Sequence, residues 1–274
     1  MWQPLGRLVR WVLALVCLAG AVLLSFYFGA WSGRYYERYQ IVYDLPKGEN
    51  IRASLRRLVK LERSYAQFGQ DLWVAHAVGQ GKPNGFYVDV GSADGEVDSN
   101  TKLLDQMGWK GVCIDPFPEH MQGRTCQVFK QPVFSESGKK VQFRAARTLG
   151  GIEADLGKHR NEASAAPVVE LVTATLDEIL EKAKAPKRID YMSIDVEGAE
   201  YDVLRGLSLD KYDIGAFTIE HNYEAEKREL IRKLLEPRGY VRVRSWEVDD
   251  WYVNRDLASR YAGFLTYSSK QFMY

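Results

Sequence analysis

Apolar positions in this chain fall into short blocks whose spacing switches between the two-residue rhythm of strands and the three-to-four-residue rhythm of helices. The clearest example is the stretch at 86–117, FYVDVGSADGEVDSNTKLLDQMGWKGVCIDPF. Phe86, Val88 and Val90 predict a strand, the glycines at 91 and 95 a tight turn, and the residues after them a helix. A second apolar run at 111–114 predicts another strand, ending on Asp115.

The same alternation continues downstream. Strands are expected at 128–134, 141–143, 168–173, 189–194, 216–219, 240–246 and 249–253. Helices are expected to start at 176–180 and to cover 200–207 and 224–235, the last stopped by Pro237 and Gly239. Upstream, 64–78 reads as a helix with Leu72, Val74 and Val78 facing inward. Its Gln70-Asp71 pair is either a cap or part of a ligand lid. Glycines and charges at 150–162 fit either a mobile loop over a site or a surface excursion. Strands alternating with helices and closing on two strands predict an α/β sandwich with a mainly parallel sheet and an antiparallel end.

In such a sheet ligands bind beyond the carboxyl ends of the strands. The residues predicted there are Asp89 and Gly91, Asp115, Asp195 and Glu197, and Glu220, His221 and Asn222. Asp115 follows the glycine turn by about 20 residues, where a carboxylate can accept from ribose hydroxyls. The turn is not a G-x-G-x-x-G fingerprint and has no Walker lysine, so an adenosyl ligand without phosphate fits better than a nucleotide. So many acids at one edge repel one another unless something binds them. Singly, each has a plainer use: Asp195 and Glu200 as caps, Glu197 facing a helix dipole, His221 as a structural histidine.

Composition changes the picture mainly at the amino terminus. With 46% hydrophobic and 27% charged residues, the 274-residue chain is globular, and a formal net charge of +1 without a basic stripe argues against nucleic acid as a partner. Residues 11–31, WVLALVCLAGAVLLSFYFGAW, carry no charge and have tryptophan at both ends. That length suits one transmembrane helix through a lipid bilayer better than the shorter apolar core of a cleaved signal peptide. The expected division is therefore a tail at 1–10, the span at 11–31, a basic and aromatic connector at 32–62, the α/β domain at 63–255 and a tail at 256–274. Counting Arg34, Arg38, Lys47 and Arg52 against Arg7 and Arg10 puts the domain on the cytoplasmic or mitochondrial matrix side, and the absence of acids before Glu37 is compatible with the mitochondrial inner membrane. The three cysteines, at 17, 113 and 126, show no metal or disulfide spacing, which points to a reducing compartment.

Several ordered blocks carry a resemblance: GQDLWV at 69–74, VDVGSADGEVDSNT at 88–101, GWKGVCIDPFP at 108–118, TLDEIL at 175–180, IDYMSIDVEGAEYDVLRGL at 189–207 and IEHN at 219–222. Together they resemble the FkbM family of S-adenosylmethionine-dependent methyltransferases. The resemblance implies the class I Rossmann-like sandwich, a mainly parallel seven-stranded sheet with an antiparallel end strand. It also implies that Asp89, Gly91 and Gly95 hold the methionine end of the cofactor, with Asp115 on the ribose and Val133 and Phe134 near the adenine, and that Ser92, Asp94 and Pro116 belong to the same cofactor site. Asp195, Glu197 and Gly198 then lie beside the transferred methyl. Asp115 stands where the family often has glutamate, and Ser92 where alanine is common.

Methyl transfer to a hydroxyl needs a positioned nucleophile and a base, for which Asp195 and His221 are the candidates, with Glu197 beside them. A divalent ion on Asp195, Glu220 and Asn222 is the less favoured alternative. The leading expectation is a membrane-anchored O-methyltransferase with an unidentified acceptor. The rival is an inactive methyltransferase-like subunit of a membrane complex. An NAD-linked oxidoreductase is weakened by the missing third glycine.

Overall fold

The computed structural model describes residues 64–79 and 82–260. The apolar segment at 11–31, the connector at 32–62 and the tail beyond residue 260 lie outside the described residues. Among the described residues no helix is long and apolar enough to cross a membrane.

In chain order the strands are β1 (Phe86–Val90), β2 (Lys110–Ile114), β3 (Cys126–Phe129), β4 (Lys140–Arg144), β5 (Gly151–Ile152), β6 (Val168–Val172), β7 (Arg188–Ile194), β8 (Asp213–Glu220), β9 (Tyr240–Trp246) and β10 (Asp249–Asn254). The α-helices are α1 (Gln70–Trp73), α2 (Lys102–Gln106), α3 (Arg160–Ala163), α4 (Leu176–Lys182), α5 (Glu200–Arg205), α6 (Ala225–Leu235) and α7 (Arg255–Arg260). Seven strands form the main sheet in the order β3-β2-β1-β7-β8-β10-β9, and β5-β4-β6 form a separate small sheet. β1 pairs in parallel with β2 on one side and β7 on the other, so the strand order reverses between β1 and β7. That reversal opens a crevice at the carboxyl ends of the two strands.

Strands β1, β2, β7 and β8 are apolar and buried along nearly their whole length, as parallel strands covered on both faces must be. Val88, Val90, Val112, Met192, Ile194 and Ile219 join Leu176, Ile179 and Leu180 of α4 and Val203 and Leu204 of α5 in one core. Each such side chain contributes about 1.5–3 kcal/mol through burial.

The end hairpin differs from expectation in one respect. β10 is antiparallel to both β8 and β9, so the antiparallel strand lies second from the edge. Its first five residues are buried, whereas β9 is half-buried after Tyr240, as the inner and the edge strand of the sheet.

Other departures have local causes. Only Gln70–Trp73 of the predicted first helix is α-helical, followed by a π-turn at Val74–Val78. The preceding residues fold back because Asp71 accepts hydrogen bonds from Ser64 Oγ and Tyr65 N at 2.7 Å each. The strand expected at 128–134 ends at Phe129, and the residues around Val133 pair instead with Ala174. The segment at 150–162 holds β5 and α3, and the strands at 141–143 and 168–173 belong to the small sheet. α7 runs across the expected boundary at 255/256.

The expectation of unpaired cysteines is overturned for two of the three. Cys113 and Cys126 form a disulfide with Cα atoms 5.7 Å apart. Parallel pairing sets Gly111 opposite Cys126 and Cys113 opposite Val128, which brings the two sulfurs together across β2 and β3. No local spacing announces such a pair.

Candidate active site

A cavity of about 450 Å³ opens beyond the carboxyl ends of β1, β2, β7 and β8. Pairing register builds it. Val90 lies opposite Ile194, and Ile194 opposite Ile219, so Gly91, Asp195 and Glu220 come out of the sheet side by side. Asp249 of β10 pairs with Glu220 and extends the row.

The turn after β1 is held against β2 and β7. Gly91 N and Ser92 N both donate to Ile114 O, at 2.8 and 3.2 Å, and Asp195 N donates to Val90 O at 2.9 Å. Gly91 has φ +84°, a conformation that favours glycine. At the tip of β2, Asp115 accepts one backbone N–H on each carboxylate oxygen, from Ala93 at 3.1 Å and from Phe117 at 2.7 Å. Burial pushes its pKa up to about 6, against the pull of those two hydrogen bonds. The remaining lone pairs are available to a ligand.

Around this turn the family becomes plain. Residues 89–242 match the family model for the methyltransferase FkbM domain. The chain belongs to that family. No curated protein matches it in sequence.

The FkbM domain's glycine turn rests on a buried polar network behind β1. Asp89 is buried and its Oδ2 accepts from Thr101 Oγ1 at 2.5 Å. Arg124 donates to Thr101 Oγ1 at 2.6 Å and to Asp105 Oδ2 at 2.5 Å. Burial raises the Asp89 pKa and the Arg124 charge opposes it.

Of the residues expected to hold a cofactor, Asp89, Gly91, Ser92, Asp94, Asp115, Pro116 and Val133 stand on the cavity wall. Gly95 and Phe134 do not. Gly95 N is tied to Glu119 O at 2.9 Å behind the turn, and Phe134 packs with Val141, Phe143 and Ile152 under the small sheet. Asp94 is engaged locally, accepting from Glu96 N and Val97 N at 2.9 and 3.0 Å and meeting His120 Nδ1 at 2.7 Å.

Of the three expected catalytic residues, Asp195 and Glu197 reach the cavity and His221 does not. His221 is buried, with Nδ1 accepting from Tyr223 N at 3.0 Å and Nε2 3.8 Å from Asp250 Oδ1. Burial lowers its pKa, which keeps the ring neutral. Its neighbours Glu220 and Asn222 face the cavity instead.

The acids there suppress one another's ionisation. Burial first, then the charges of Glu197, Asp249 and Glu200, raises the Asp195 pKa, and burial with Asp195 raises that of Glu220. Burial takes Glu197 to about 7 and Asp249 to about 7. Two acids are already satisfied by the protein: Asp249 accepts from Gln70 Nε2 at 2.7 Å, and Glu200 accepts from Gly198 N at 2.8 Å and Val196 N at 3.2 Å.

Two further walls come from segments for which the sequence left two uses open. Gln67, Phe68 and Gln70 close one side, so the Gln70-Asp71 pair divides its work: Asp71 organises the loop and Gln70 lines the site. Leu149, Gly150, Lys158 and His159 close another, which makes the segment at 150–162 part of the site. The paired glycines at 150 and 151 are the sequence signal for that approach.

Proposed function

We propose that the chain is a membrane-anchored, S-adenosylmethionine-dependent methyltransferase that acts on a hydroxyl acceptor. The observation that carries this reading is Asp115, half-spent on backbone N–H groups, facing the same cavity as the Gly91 turn and the acids of β7 and β8.

The wall suits an adenosyl ligand. Ser92 Oγ and Asn100 Oδ1 are buried on it without hydrogen-bond partners, as polar atoms are when they await a ligand. The cavity is of a size that takes a drug-sized molecule. When bound there, S-adenosylmethionine supplies a methyl group on a positively charged sulfur.

The chain's own part is positioning and proton removal. Asp115 orients the ribose by accepting its hydroxyls, and the Gly91 turn lets the backbone approach closely. Asp195 and Glu197 stand on the wall where an acceptor hydroxyl can give up its proton as its oxygen bonds to the methyl carbon and the carbon–sulfur bond breaks. The carboxyl oxygens gathered at this edge also suit the positive sulfur.

Anchoring is supported by the apolar segment at 11–31. For the side of the membrane, the Cys113–Cys126 bond supports an oxidising space, against the cytoplasmic or matrix side favoured by the charge count. The arginine and lysine asymmetry across the segment is small, and the bond outweighs it.

The test is calorimetric titration of the full-length chain with S-adenosylmethionine and its demethylated product, beside Asp115→Ala. Micromolar binding lost in the variant is expected. A folded chain that binds neither ligand overturns the reading in favour of an inactive subunit.

A further inference from the structure

The acceptor end of the cavity gathers oxygen atoms, two of them without a partner among the described residues. One carboxylate oxygen each from Asp195, Glu197 and Glu220 lie within 4.8 Å of one another. Beside them is Asn222, only 7% exposed, whose Nδ2 donates to Glu197 Oε2 at 3.4 Å and whose Oδ1 has no partner. Glu220, also 7% exposed, leaves its Oε2 unpaired. A buried polar atom left without a partner costs about 1–3 kcal/mol.

Among the neighbouring cations, Lys158 and His159 share the cavity wall and their charges oppose the rise of the Glu197 pKa, but none forms an ion pair with these carboxylates. Lys227 pairs with Glu224 at 2.9 Å, His159 pairs with Glu162, and Lys158 sits 5.4 Å from the ring centre of Tyr223. Asp249 and Glu200 are satisfied by Gln70 and by backbone N–H groups. Asp195 and Glu220 share a side-chain hydrogen bond, and the three carboxylates and one amide crowd together with no ion pair to a described lysine or arginine.

We propose that Asp195, Glu197, Glu220 and Asn222 bind one hard divalent cation of the magnesium, manganese or calcium class. The donor set is all oxygen, which suits these ions and not zinc, whose sites draw on sulfur and imidazole nitrogen. His221, though it sits between two of the ligands in sequence, is turned towards Asp250 and contributes nothing. The two loops bring the four side chains together through left-handed backbone at Glu197 (φ +59°) and Asn222 (φ +44°). A hard ion of about six-fold coordination keeps about two positions for oxygens that the protein does not provide. Those positions face the cavity, so the ligand class they select is an acceptor with two neighbouring oxygens.

With the ion bound, Asp195 and Glu197 act as its ligands and not as the base, and the ion would lower the pKa of an acceptor hydroxyl; this consequence rests on the proposed methyltransferase reading, whereas the binding of the ion does not. The experiment is titration of the full-length chain with manganese(II) alone, followed by electron paramagnetic resonance of the free ion, in parallel with calorimetry of S-adenosylmethionine. One manganese per chain is expected, weakened at least tenfold in Glu220→Gln and in Asn222→Ala and retained in Asp115→Ala. Asn222→Asp, which adds a charged oxygen donor, is expected to bind at least as tightly as the parent and covers the case in which the other variants fail to fold. No stoichiometric manganese on a chain that binds S-adenosylmethionine overturns the inference, and so does manganese binding that these substitutions leave unchanged. Manganese bound by a chain that ignores S-adenosylmethionine sinks the cofactor reading and leaves the ion site standing.

Discussion

A Cβ built on Gly91 would stand 1.6 Å from the carbonyl oxygen of Asp195. The turn after β1 and the end of β7 thus touch backbone to backbone, at the place where the strand order reverses. Asp195 is held at the cavity by this contact and by its N–H on Val90 O.

Gly91→Ala is expected to destabilise the domain by more than about 3 kcal/mol, because the added carbon has no room and the positive φ disfavours it as well. Thermal denaturation of the variant beside the parent checks this. A melting temperature within a degree or two of the parent would refute the tight contact.

Asp115 gives a pH dependence with a definite sign. Its folded-state pKa is about 6, above the usual carboxylate range. The folded chain therefore binds this proton more readily than the unfolded chain, so the cost of burying the charge is felt above pH 6 and is relieved as pH falls towards 4. Cofactor binding runs the other way, since ribose hydroxyls need the ionised carboxylate. Affinity is expected to be flat above pH 6 and to fall by about tenfold per unit below it. Asp115→Asn should lower affinity about ten- to a hundredfold at pH 7.5 and flatten that part of the profile.

Reduction of Cys113–Cys126, or Cys126→Ser, is expected to cost about 3 kcal/mol, the value for a loop of this size. The closed loop contains Asp115, so weaker cofactor binding should accompany the loss. Mass spectrometry after alkylation without reductant should find neither Cys113 nor Cys126 alkylated; alkylation of both would remove the bond and the argument for an oxidising compartment.

His221→Gln is expected to keep kcat within about threefold while lowering the melting temperature. The ring is packed against Tyr223 and the Asp250 cluster and does not face the cavity. A loss of turnover of about a hundredfold or more with unchanged stability would return His221 to the chemistry.

Strand ends were legible in the sequence because apolar runs stop at them: Asp115, Asp195 and Glu220 each follow such a run and each reaches the cavity. What lies beyond nearest neighbours was not. Val133 and Phe134 are adjacent, yet one lines the cavity and the other packs under the small sheet, as successive residues in an extended segment face opposite ways. The same limit explains His221, flanked by Glu220 and Asn222 on the cavity wall while its own ring turns away. Cys113 and Cys126 meet only through the register of two parallel strands. Register is set by the whole sheet, and a single stretch of sequence does not contain it.

Gln67, Phe68 and Gln70 lie upstream of residue 89, where the family match begins, and Gln70 reaches across to Asp249 beyond its far end. A fragment cut to the family boundaries would keep most of the parallel strands and lose a side of the cavity, along with Asp249 and its donor, leaving the reaction space open to water. The Trp73–Trp251 pair, with ring centres 4.8 Å apart, would be lost with it. The working unit of this chain is thus longer at both ends than its family signature, and recombinant versions should begin no later than Ser64 and extend through β10.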